Sequence, residues 1–233
     1  MPQCGFSAAA TNLYSTRLIT LGTLVAVYLS TSDEMIPIFI SEEIPITIIL
    51  KVLLVKFLAG VFYGFLIDLF FNKISKSKME KEPKIESLCK DEHCHCHRTG
   101  IIKSALKHTI NITIYIFIIT LIINLLISII GERTIENFIQ NNLYLGPIIS
   151  SLIGLIPNCA ASVIITNLYI QNVINASALI SGLLTGAGVG LIVLFRTNKK
   201  NIKENLSIVF MMYLIGVVTG WALQMFNFTV WVY

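Results

Sequence analysis

Charge is what this chain has least of. Only 13 acidic and 17 basic residues occur among 233, so charged side chains make up 13% of the sequence against 55% hydrophobic. That balance excludes an ordinary soluble domain, in which about a quarter of residues are charged. Also missing is a Gly-rich phosphate loop of the Walker kind, so nothing ties the chain to nucleotide hydrolysis. No nucleophile stands in a recognisable setting with a base, which argues against an enzyme and calls for no cofactor. Met1 is followed directly by Pro2-Gln3-Cys4, without the basic and apolar regions of a signal peptide. Cysteine is sparse too: Cys4 and Cys159 lie in apolar surroundings, Cys89, Cys94 and Cys96 in a basic stretch. This is no disulfide framework, and a reducing compartment suits it.

What remains is apolar sequence in membrane-sized pieces. A helix crosses a hydrocarbon core with about 20 residues, and spans are expected at 17–40, 47–72, 104–130, 172–195 and 205–227. The apolar stretch 147–170 is interrupted by Pro157. The fold class is therefore all-α, a polytopic membrane protein. Segment 73–100 collects seven basic residues and five acids, and a loop at a membrane surface accounts for it without nucleic acid.

The sequence also uses one motif twice. PQCGFSAAATNLY at 2–14 returns as PNCAASVIITNLY at 157–169, and at this spacing of 155 residues ten of the 39 positions from 2 to 40 are identical. One residue further apart, Gly60-Val61-Phe62-Tyr63-Gly64 answers Gly216-Val217-Val218-Thr219-Gly220. The chain divides into a first membrane repeat (1–72), a basic Cys/His-rich loop (73–100) and a second membrane repeat (101–233). In the second copy residues 101–156 precede the motif and the first copy has no such lead-in, so at least one further span is expected upstream of Met1.

Lysine and arginine in short loops set the orientation. Loops 73–100 and 196–204 are basic and should be cytoplasmic, whereas 41–46 and 131–146 should face outward. Residues 147–195 must then cross an odd number of times with two apolar segments. The economical solution is a re-entrant hairpin at 147–170, turning at Pro157-Asn158-Cys159, followed by a crossing at 172–195. The same logic applied to the first copy inverts it, giving inverted repeats with re-entrant or broken helices, an architecture of secondary transporters.

The hairpin tips offer Cys4, Ser7 and Asn12 in one copy and Cys159, Ser162 and Asn167 in the other, thiols and polar groups at the positive ends of short helices. Two facing thiols suit a soft metal or metalloid, although buried cysteines are often simply small hydrophobes. Asp33 and Glu34 interrupt an apolar segment and suit a hard cation or a proton. Lys56, nine residues into its span, needs a partner, and either carboxylate could serve; Lys51, nearer the end, can snorkel. The glycine pairs read as close helix packing. In the loop, Cys89, His93, Cys94, His95, Cys96 and His97 form the densest set of metal ligands, but their alternation specifies no defined zinc site.

These stretches, together with ITLGTLVAVYLSTSDEMIPIFIS and GLLTGAGVGL, resemble a bacterial family of ten-span heavy-metal exporters, labelled arsenic efflux proteins or manganese transporters. The resemblance implies a multi-pass bacterial cell-membrane permease whose partners are a metal or metalloid ion and the bilayer. A manganese(II) exporter, with Asp33 and Glu34 as ligands, stays open beside the arsenic type. So does a membrane-anchored metal sensor or chaperone working through Cys89–His97, and so does a homo-oligomer.

Overall fold

The computed structural model describes residues 3–31, 35–79 and 145–225, with seven positions between 110 and 125. Every described element is helical: α1 (Gln3–Ser15), α2 (Leu21–Ser30), α3 (Met35–Ser41), α4 (Ile46–Met79), α5 (Gly146–Gly154), α6 (Cys159–Ile170), α7 (Ala176–Thr185), α8 (Val189–Thr197) and α9 (Ile202–Met225), with a 3₁₀ turn at Lys199–Asn201 before α9. Among the described residues four spans are long and apolar enough to cross a membrane: α2–α3, α4, α7–α8 and α9. The chain is a multi-pass membrane protein.

The predicted spans need three amendments. Position 17 lies in a turn, Arg17 at φ 63°, so the first span begins only at Leu21. Helix α4 runs on to Met79, into the stretch assigned to the loop. Span 172–195 is divided, since α7 stops at Thr185 and α8 starts at Val189. In span 104–130 the seven described positions, all apolar, are helical and exposed, and the rest of it lies outside the described residues.

The repeat is visible bond by bond. The turn after α1 is closed by Thr16 N–H to Asn12 O, Arg17 N–H to Tyr14 O and Leu18 N–H to Leu13 O, and the turn after α6 by Gln171 to Asn167, Asn172 to Tyr169 and Val173 to Leu168. Arg17 and Asn172 share the left-handed conformation, at φ 63° and 59°. The next helices are capped alike, Thr20 Oγ1 accepting from Thr23 N–H at 3.1 Å and Asn175 Oδ1 from Ala178 N–H at 2.9 Å. Thus α1, α2, α3 and α4 answer α6, α7, α8 and α9.

Contacts fix the directions. Helix α5 runs parallel to α7, with Gly146 against Ala178, Ser150 against Gly182 and Gly154 against Thr185. Helix α6 returns antiparallel, its Ile165 reaching Gly182 from across the turn at 171–175. At 9 and 12 residues, about 14 and 18 Å long, neither arm can span a bilayer alone, so α5–α6 is a hairpin and Pro157 does not merely kink one span. Helix α1 lies parallel to α8, Ser7 beside Gly190 and Ser15 Oγ 2.7 Å from Thr197 Oγ1. Since α8 continues the direction of α7, α1 and α6 point in opposite directions. The repeats are inverted, and each returning arm packs on the other repeat's broken span: α1 on α8, α6 on α3, where the Tyr169 and Phe39 rings lie 6.1 Å apart.

Small residues let the helices approach. A Cβ at Gly60 or Gly64 would meet Ala26, and one at Gly216 or Gly220 would meet Thr185 or Ser181, so both glycine pairs are helix-packing positions, as their spacing predicts. The α7–α8 span is the most enclosed, with 89% of its most apolar stretch buried against 22% to 40% in the other spans.

Candidate functional site

The second broken span organises the site. Thr185, Gly186, Ala187 and Gly188 end one half-helix and begin the next, and Gly188 turns the chain with φ 52° and ψ −135°, a conformation that side chains resist. Both hairpin arms reach this break. Leu155, at the α5–α6 turn, packs in one apolar cluster with Ala187, Leu191, Ala10 and Tyr28. From the other repeat Ser7 abuts Gly190.

Around Gly190 a buried hydroxyl network joins three helices. Thr11 Oγ1 donates to Ser7 O at 2.6 Å and lies 2.5 Å from Tyr28 OH. The Gly190 carbonyl is 3.1 Å from the tyrosine oxygen and 3.2 Å from the threonine oxygen. Two O–H protons thus serve three acceptors, an economical arrangement where no water can compete. In the second copy Thr166 Oγ1 donates to Ser162 O at 2.7 Å, and Ser162 Oγ to Cys159 O at 2.8 Å.

The expected site residues fall into four groups. Ser7 and Ser162 are buried, as are their helical neighbours Thr11 and Thr166. Cys159, half-buried and outside any disulfide, opens α6 behind Asn158, whose Oδ1 caps Ala160 N–H at 3.4 Å; Cys4 lies at the equivalent place in α1 and is described by its backbone only. Asn12 and Asn167 point outward and are exposed, while the threonines before them turn inward. Asp33 and Glu34, with their pairing to Lys56, lie outside the described residues, as do Cys89, His93, Cys94, His95, Cys96 and His97. Among the described residues no three Cys, His, Asp or Glu side chains gather as a metal cluster.

Lys56 is 1% exposed and among the largest fully buried side chains. In the antiparallel pair α2/α4, Asp68 faces Gly22, Gly64 faces Ala26 and Gly60 faces Ser30. One turn further along α4 comes Lys56. Its counterpart Met212 is also fully buried and belongs to the cluster that contains Ala187. Lysine and methionine therefore occupy matched, fully buried places in the two repeats.

Three features were not foreseen from the sequence. Thr11 and Thr166 are in the repeated motif, and burial of a β-branched hydroxyl beside an exposed amide was their only signal. Tyr28 has Leu183 as its counterpart, so the repeat hides it. The third is an ion pair: Arg17 Nη1 and Nη2 reach Glu204 Oε1 and Oε2 at 3.0 and 3.3 Å, and Tyr14 OH donates to Oε1 at 2.5 Å. Burial pulls the Arg17 pKa down, but the hydrogen bond and charge of Glu204 outweigh it and raise it above the ordinary value.

Residues 100–231, more than half of the chain, match a family described as "Putative, 10TM heavy-metal exporter". The chain belongs to this family. No curated protein and no solved structure matches it. The match covers all of α5 to α9, hence the hairpin, the second break and Met212, so these are parts of a heavy-metal exporter's framework. It begins beyond the first motif, and the first copy joins the same architecture through its symmetry with the second.

Proposed function

We propose that this exporter carries a thiophilic metalloid of the arsenite type out of the cytoplasm by alternating access between its inverted repeats. The observation that carries the reading is the convergence of an arm from each repeat on one broken helix, Ser7 at Gly190 and Gly154 at Thr185. In inverted-repeat transporters such a meeting of broken helices near mid-membrane is where substrate is held. Cys4 and Cys159 are the ligands in this reading, each thiol displacing one arsenic-bound hydroxyl as water and forming an As–S bond. Ser7 and Ser162 supply polar lining, whereas Asn12 and Asn167, which point outward, do not. Asp33, Glu34 and Lys56 compensate charge or exchange the coupling proton, the sequence carrying no Walker-type phosphate loop. The ends carrying Lys199 and the 73–100 loop face the cytoplasm.

Uptake into inverted vesicles tests this. Arsenite uptake by the wild-type chain that falls to background in Cys4→Ser/Cys159→Ser supports the thiol site. Mn(II) uptake that survives in that variant and is lost in Asp33→Asn/Glu34→Gln replaces it with a carboxylate site. If neither ion is taken up and function depends on residues 89–97, a membrane-anchored sensor replaces both.

A further inference from the structure

The two ends of the inverted repeats differ in how the repeats are joined there. Arg17, in the α1–α2 turn of the first repeat, and Glu204, in the first turn of α9 in the second, form a two-pronged ion pair that Tyr14 completes from α1. The guanidinium also lies 5.4 Å from the centre of the Tyr14 ring. Beside it Ser15 and Thr197 hydrogen-bond at 2.7 Å, tying α1 to α8 across the same boundary. At the opposite end the symmetry-matched residues are Asn172 for Arg17, Ile48 for Glu204, Tyr169 for Tyr14 and Ile170 for Ser15. Asn172 and Ile48 carry no charge, and Tyr169 meets Phe39 in a tilted ring contact. Repeats that must separate alternately at two ends are thus joined at one end by a charged, directional contact that the matched residues at the other end cannot repeat.

We infer that Arg17, Glu204 and Tyr14 form a latch between the repeats that holds the pathway shut at their end of the membrane. The inference rests on the alternating-access reading above. Charge-assisted bonds of this geometry are stronger than neutral ones. With 21% and 19% of the two side chains exposed, the pair is screened less than a surface bridge. Opening this end breaks the guanidinium–carboxylate contact and the Tyr14 bond together. Opening the other end breaks no matched ion pair, since Asn172 and Ile48 are uncharged. The basic sequence around Lys199 makes the latched end the cytoplasmic one, so release of the latch is what admits cargo from inside.

The test uses a reporter in the latch's shadow. Ser15→Cys, in a chain whose own cysteines are serine, is labelled with a charged thiol reagent in vesicles of both orientations. Arg17→Gln and Glu204→Gln should each speed labelling roughly fivefold to tenfold from one side only, and the exchange Arg17→Glu/Glu204→Arg should slow it again. Single variants that stay folded by gel filtration and label no faster overturn the latch. Should the single variants not fold, the exchanged chain decides: slow labelling supports the latch and fast labelling overturns it. Labelling needs no metal, so a working latch in a chain that moves neither arsenite nor Mn(II) would count against the exporter mechanism and not against the latch.

Discussion

Tyr63 and Thr219 hold the same place in the two repeats, and they touch: Thr219 Oγ1 donates to Tyr63 OH at 3.1 Å. Equivalent residues of two copies related by a two-fold can meet only near the axis. The apolar cluster around them obeys the same rule, since it pairs Val25 with Ile180, Leu29 with Leu184, Val55 with Met211, Ala59 with Ile215 and Ile67 with Leu223. A pseudo-two-fold axis therefore runs through the contact of α2 and α4 with α7 and α9.

Tyr63→Cys/Thr219→Cys should join within a single chain through a short bis-thiol reagent. After protease cleavage in the 80–100 segment, the two halves should migrate as one band on a denaturing gel. Two separate bands, or linkage only between copies, would remove the axis from this position.

Glycine at 216 has no substitute of ordinary size. A Cβ there meets Thr185 Cγ2, Ser151 Oγ at 2.8 Å and Ser181 O at 3.0 Å, at the point where α5, α7 and α9 come together. Gly216→Leu should cost about 1–3 kcal/mol or more through overpacking, read as a lowered melting midpoint and loss of the monodisperse peak in detergent. Val218→Leu, on the exposed face two residues away, should change stability by no more than about 0.5 kcal/mol.

Gly188 has a backbone reason rather than a packing one. With φ 52° and ψ −135°, Gly188→Ala should cost about 1–3 kcal/mol in strain or straighten the break. Its matched position in the first repeat is Asp33, which lies outside the described residues. Alanine at 188 should lower the melting midpoint, whereas alanine at the neighbouring Gly186, which sits at φ −71°, should be milder; equal effects would show that the strain is not at 188.

These cases show what the sequence could disclose. The repeat, the hairpin around Pro157 and the two glycine pairs were legible because each depends on local spacing or on identical residues. The break at 186–188 was not, because Gly-Ala-Gly is apolar and leaves the hydropathy of the span intact. The pair Arg17–Glu204 was hidden for another reason: its partners lie 187 positions apart, and no repeat relation links an arginine in a turn with a glutamate on the first turn of a helix. Asn12 and Asn167 drew notice as amides, yet the hydroxyls beside them are the groups turned into the protein.

Lys56 allows fold and function to be separated. Its symmetry mate is Met212, and the two side chains are buried to 1% and 0% exposure, so the framework already accommodates methionine at this place. Lys56→Met should therefore still give a folded, monodisperse chain in detergent, because an apolar side chain of similar length fills the same space, and any fall in melting midpoint reads the interaction that the lysine gives up. If Lys56 serves charge compensation or coupling, the same variant should lose at least about tenfold in metal uptake by vesicles, and a pH gradient should no longer change its rate. Lys56→Arg, which keeps the charge but fixes its proton, separates the two roles: retained uptake without a response to the gradient assigns compensation to the charge and coupling to the proton. A folded Lys56→Met chain that transports at the wild-type rate would make the lysine a structural residue and turn attention to the carboxylates alone.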